Sequence, residues 1–177
     1  MNKYSEEKLE LRGYGFSDQM TDLLERLVSL HNYHEHISAK HQLEKQGKDI
    51  LPVMHTLTES GSVVIRKEAM KLIKLVGDRS SIPYAIRLLE DIDGDIRWIA
   101  AETLIHIGRA SLRPLLKAVH DNQDAYFLRE GAHHVLSALI RDHDPKDLRE
   151  LQRILLNGEL LETLPLRISK LLESSQI

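Results

Sequence analysis

Between residues 47 and 141 the chain states one pattern three times at a spacing of 31 residues. Pro52, Pro83 and Pro114 lie 31 apart, Gly77 and Gly108 lie 31 apart, Arg66, Arg97 and Arg129 follow at 31 and 32, and Ala69, Ala100 and Ala132 keep step. An internal period of this length belongs to stacked pairs of helices, each too small to bury its own apolar face. The repeat therefore constrains a shape long before any residue argues for a function.

Each unit reads as helix A, turn, helix B. In the first, helix A starts at Lys48 or Asp49, Pro52 sits in its first turn where a missing N–H costs little, Ser60-Gly61-Ser62 makes the turn, and helix B runs over 63–76 until Gly77 stops it. In the second, Ser81 is expected to cap helix A, Pro83 lies early, Asp93-Gly94-Asp95 turns, and helix B covers 96–107 before Gly108. In the third, Ser111 is the expected cap, Asp121-Asn122-Gln123-Asp124 turns, and helix B covers 128–140. Overlaying the B helices predicts one core stripe: Ile65, Ala69, Leu72, Ile73 and Val76, then Ile96, Ala100, Thr103, Leu104 and Ile107, then Leu128, Ala132, Val135, Leu136 and Leu139. A small alanine at one depth in every unit suits helices that approach closely.

The flanks lack that register. Residues 1–16 carry little pattern, and Gly13-Tyr14-Gly15-Phe16 should interrupt any helix begun near Ser5. Ser17 then caps an amphipathic helix with Met20, Leu23, Leu24, Leu27 and Val28 on one side, and a more polar helix with His31, His34, His36 and His41 follows. After a break at Asp144-Pro145, two further helices are expected, with Pro165 bending the last one or delaying its start. The predicted organisation is an N-terminal helical cap, 1–46, three repeats, 47–77, 78–108 and 109–141, and a C-terminal cap pair, 142–177. Atypical ends protect the core of a stacked array.

The class is all-α, since Leu, Ile, Ala, Glu, Lys and Arg dominate and aromatics are only 5% of residues. With 24 Lys+Arg against 27 Asp+Glu, the net charge of −3 argues against nucleic acid as the partner. The absence of cysteine excludes disulfides, thiolate metal ligands and cysteine nucleophiles. The start of the chain is charged and no apolar run reaches the roughly 18 residues of a membrane span, so a cytoplasmic protein with no membrane contact is expected.

At Ile82-Pro83, Asp95-Ile96-Arg97-Trp98-Ile99-Ala100-Ala101 and Ile107-Gly108 the chain resembles HEAT-like repeats, especially the short form named after phycobilin lyase subunits. The resemblance covers 47–141; the first repeat departs from it by Ser62 in place of the turn acid, and the third by one extra residue before Arg129. It implies a right-handed α-solenoid of stacked helical hairpins whose B helices line the concave face. It also implies a structural ladder of Arg66, Arg97 and Arg129 with the turn residues Asp95 and Asp124, the arginines interacting with neighbouring repeats.

Off the core stripe, the B helices present Lys67 and Lys71, then Trp98 and Glu102, then Glu130, His133 and His134. These seven residues are the candidate binding face, with Trp98 as its anchor, because tryptophan offers a large contact area with a polar edge. The leading expectation is a scaffold or adaptor that binds a protein or peptide there. The alternative is a lyase-like or metal-dependent enzyme using the same groove, assembled from Glu102, Glu130, His133 and His134. His31 and His34 are weak metal candidates, since a His-x-x-His spacing is common and no Glu-x-x-His partner accompanies it. No phosphate loop, nucleophile elbow or nucleotide fingerprint is present, and no cofactor is expected.

Overall fold

The computed structural model describes residues 3–29, 32–141, 144, 146–156 and 162–174. Among them there are helices and no strands. The chain forms two compact units, Met1–Val76 and Gly77–Ile177. No helix among the described residues is long and apolar enough to cross a membrane.

The first unit contains α1 (Lys3–Gly13), α2 (Asp18–Leu27), α3 (Tyr33–Glu44), α4 (Leu51–Leu57) and α5 (Val63–Val76). Here α2 packs on α3 and α4 on α5, while α3 also reaches α5. Ser17 caps α2 as expected, its hydroxyl accepting from the Met20 N–H at 3.3 Å. A helix does begin near Ser5 and stops at Gly13 as expected; what the weak pattern did not announce is that this helix, α1, buries Leu11 fully. Its polar residues explain why no apolar stripe announced it, for α1 is held largely by carboxylates. Glu10 accepts from the Ser60 hydroxyl and the Gly61 N–H, and Glu7 accepts from the Ser62 hydroxyl at 3.0 Å.

A second attachment joins α1 to α2, where the buried Glu25 receives Arg12 Nε at 2.7 Å and Lys8 Nζ at 3.4 Å. The hydrogen bond and charge of Arg12, helped by Lys8, hold the Glu25 carboxyl below its ordinary value against the opposing pull of burial. A carboxylate lowered by folding stabilises at neutral pH, and that contribution is lost as pH falls through its folded value. Amide exchange of α1, corrected for intrinsic rates, is therefore expected to be slow and flat from about pH 7 to 5, then to accelerate below about pH 4. Glu25→Gln should remove the step, whereas an unchanged step in that variant would contradict the assignment.

The second unit contains α6 (Ile82–Leu88), α7 (Gly94–Ile107), α8 (Leu112–Asp121), α9 (Tyr126–Leu139), α10 (Lys146–Ile154) and α11 (Leu164–Glu173). Its helices pack α6 on α7 and α8, α7 on α9, α8 on α9 and α11, and α10 on α9 and α11. The predicted stripe supplies its core: Ile96, Ala100, Thr103 and Leu104 from α7, and Leu128, Ala132, Val135 and Leu136 from α9, are all buried. The fifth position of the stripe, Ile107 and Leu139, is only half-buried. Pro165 lies in the first turn of α11, whose start is delayed to Leu164.

Each A helix is preceded by a 3-10 turn, Gly47–Ile50, Arg79–Ser81 and Gly108–Ser111, and this corrects the expected caps. Ser81 and Ser111 occupy cap positions but are themselves helical, so neither side chain bonds forward to the helix N–H groups. Ser111 instead turns back, donating to the carbonyls of Leu104 at 3.0 Å and Gly108 at 2.7 Å. The glycine stops behave as expected: Gly77 and Gly108 have φ of 63° and 84°, a region costly for residues with a Cβ.

Candidate functional site

The B helices are set by one device used three times. At the third N–H of each helix sits an oxygen acceptor: Ser62 Oγ for Ile65 at 3.5 Å, Asp93 Oδ1 for Ile96 at 3.1 Å, and Glu90 for Leu128. The acid comes from a different place each time. Asp93 belongs to its own turn, Glu90 reaches across from the preceding helical pair, and the uncharged Ser62 is backed by Glu7 of α1. Negative charge at a helix N-terminus is favoured by the helix dipole and by its free N–H groups.

The arginines act in register beside it. Arg66 donates to the carbonyls of Ser60 at 2.8 Å and Gly61 at 3.2 Å, Arg97 to those of Asp91 at 2.8 Å and Ile92 at 3.2 Å, and Arg129 to that of Gln123. Each therefore closes the turn of its own helical pair, satisfying carbonyls of the turn itself. Arg97 also reaches the next pair, its guanidinium lying 3.9 Å from the centre of the Phe127 ring.

Between α7 and α9 lies a groove of about 360 Å³. Gly94, Arg97, Trp98 and Ala101 enter it from α7, and Phe127, Glu130, Gly131 and His134 from α9. Both sets have the spacing i, i+3, i+4, i+7, so each helix presents a single face. Leu89, His133 and Leu156 complete the lining. Gly131 packs closely on Leu89, for a Cβ built there would stand 2.7 Å from a methyl of that leucine. Large rings thus flank small residues, which leaves a trough with apolar walls.

Trp98 stays 58% exposed although its ring centre is 4.7 Å from that of His134. The other side of His134 is fixed by Glu102, whose Oε1 lies 3.2 Å from the imidazole Nε2. Trp98, His134 and Glu102 thus form a chain of contacts that holds the indole at the groove rim. Glu130 is exposed, and neither its carboxylate nor the His133 ring makes an ion pair or side-chain hydrogen bond among the described residues.

Of the seven predicted binding residues, the second unit brings together Trp98, Glu102, Glu130, His133 and His134. Lys67 and Lys71 belong to α5 in the first unit, where Lys71 pairs with Glu68 at 2.6 Å and Lys67 is half-buried. Sequence reasoning missed Leu89, Phe127, Gly131 and Leu156. Phe127 was lost because helix B was expected to begin at Leu128, two residues after its start at Tyr126. Gly131 did carry a signal, since a glycine inside a helix costs about 1 kcal/mol and marks a close approach.

The histidines of α3 are dispersed in use. His36 bonds through Nδ1 to the Leu27 carbonyl, His41 lies 3.6 Å from Glu44, His34 is exposed, and His31 falls outside the described residues. No cluster of three or more His, Asp or Glu that could hold a metal occurs among the described residues. In the first unit a cavity of about 440 Å³ is lined by Arg12, Phe16, Asp18, Thr21, Asp22 and Glu25. It is mostly polar, and Glu25, Asp22 and Arg12 are engaged in ion pairs.

Residues 50–137 match the family model of HEAT repeats, a span running from the end of the first 3-10 turn almost to the end of α9. No curated protein and no solved structure matches the chain.

Proposed function

We propose that this chain, which belongs to the HEAT-like repeat proteins, is a scaffold or adaptor that docks a protein or peptide in the groove between α7 and α9. The observation that carries the reading is Trp98, more than half exposed yet held in place by His134 and Glu102. A large aromatic left at a surface and fixed there loses little conformational freedom when a partner covers it. Phe127 and Leu156, which line the same groove, are also exposed apolar residues, and contiguous exposed apolar surface marks interaction sites. HEAT repeats commonly mediate protein interactions, which supports the same choice. Lys67 and Lys71, on α5 of the first unit, remain proposed binding residues of that unit by themselves.

The test compares partner capture by the intact chain with capture by Trp98→Ala. Leu166→Ala serves as control, since Leu166 is exposed and does not line the groove. Loss of capture in the first variant alone is the expected result; equal capture by all three chains would refute it.

A further inference from the structure

We propose that the groove between α7 and α9 selects a peptide segment carrying a lysine or arginine next to a bulky apolar residue; this rests on the docking role given to that groove. The apolar half of the inference follows from the walls. Trp98, Phe127, Leu89 and Leu156 surround a trough of about 360 Å³, which has room for one or two large side chains. It is too small to take a whole helix, so a short anchor of the partner enters and the rest lies across the rim.

The cationic half follows from which charged groups at the groove are already engaged. Arg97 is the positive group of the lining, and it gives hydrogen bonds to the Asp91 and Ile92 carbonyls while its guanidinium rests on Phe127. Its charge remains, but Nη1 is turned to the α6–α7 turn and the guanidinium plane lies on the ring. The carboxylate of Glu130 has no side-chain partner among the described residues. A second carboxylate, Glu102, is engaged by His134. An incoming cation therefore meets one unpartnered carboxylate, Glu130, beside an exposed indole. An ammonium or guanidinium gains from both, through the carboxylate and through the ring face. An acidic or phosphorylated segment would meet the Glu130 carboxylate and be repelled.

The experiment titrates three synthetic peptides into the full chain: one with the core Leu-Phe-Lys-Leu, one with Leu-Phe-Glu-Leu, and one of lysines alone. Trp98 is the only tryptophan of the chain, so its emission reports groove occupancy without a label. The Lys-containing apolar peptide is expected to bind at least about ten-fold tighter than its Glu counterpart, and lysines alone to leave the emission unchanged. In Glu130→Gln that preference should shrink to about two-fold or less, with thermal unfolding unaltered because the residue is exposed. If both apolar peptides shift the emission equally, or if the preference survives in Glu130→Gln, selection of a cation is overturned while docking in the groove stands. If no peptide shifts the emission, docking and selection fall together.

Discussion

Leu104→Ala is expected to destabilise the second unit by about 2–5 kcal/mol, the range for deleting a fully buried leucine from a packed core. Leu104 has no exposed surface and lies on the α7 stripe with Ile96 and Ala100, facing helices that pack on both sides. Its carbonyl also accepts the hydroxyl of Ser111, which ties the next A helix to this point. The cavity cannot collapse easily, because the neighbouring contacts are repeated along α9 by Ala132, Val135 and Leu136. Urea denaturation followed by circular dichroism measures the loss. Leu104→Met, which nearly conserves volume, should cost less than about 1.5 kcal/mol. Equal effects of the two substitutions would show that packing at this depth does not hold the unit together.

Trp98→Ala should do the reverse, leaving stability within about 0.5 kcal/mol and removing about 2–4 kcal/mol of binding. That binding loss is a weakening of roughly 30- to 1000-fold. The fold is spared because more than half of the indole faces solvent and its ring contact with His134 is a surface one. Binding suffers because the truncated residue no longer offers the apolar face that a partner would cover, and because the His134–Glu102 pair loses the ring resting on it. Trp98→Phe should recover part of the affinity. Paired measurement of unfolding and partner affinity separates the two effects, and a variant that both unfolds and loses binding would make Trp98 a structural residue.

How much of this was legible in the sequence varied with the kind of interaction. The B helices and their core were readable because apolar residues recur at the helical period, and Ile96, Ala100 and Leu104 sit where that period puts them. The device at the helix N-termini was not readable, since Glu7, Glu10 and Glu90 come from distant or neighbouring elements and any surface glutamate looks the same in a string of letters. The role of α1 was hidden for that reason. Ser81 and Ser111 misled, because a cap signal in sequence assumes an extended residue before the helix, and a 3-10 turn removes that geometry. For the groove, the face read off the core stripe already held Glu102 and His134, and they lie 3.2 Å apart. Phe127, Leu89 and Leu156 escaped because they enter the groove from helix ends, where periodicity fades.

The most direct measurement uses the absence of cysteine from the chain. A photoreactive group placed on His133→Cys lies in the groove, and one placed on Leu166→Cys lies outside it. The account predicts a discrete adduct with a partner from the first position and none from the second. Unlabelled chain should compete that adduct away, and unlabelled Trp98→Ala chain should fail to. The same adduct from both positions, or equal competition by both chains, would contradict the assignment of the groove as the docking site.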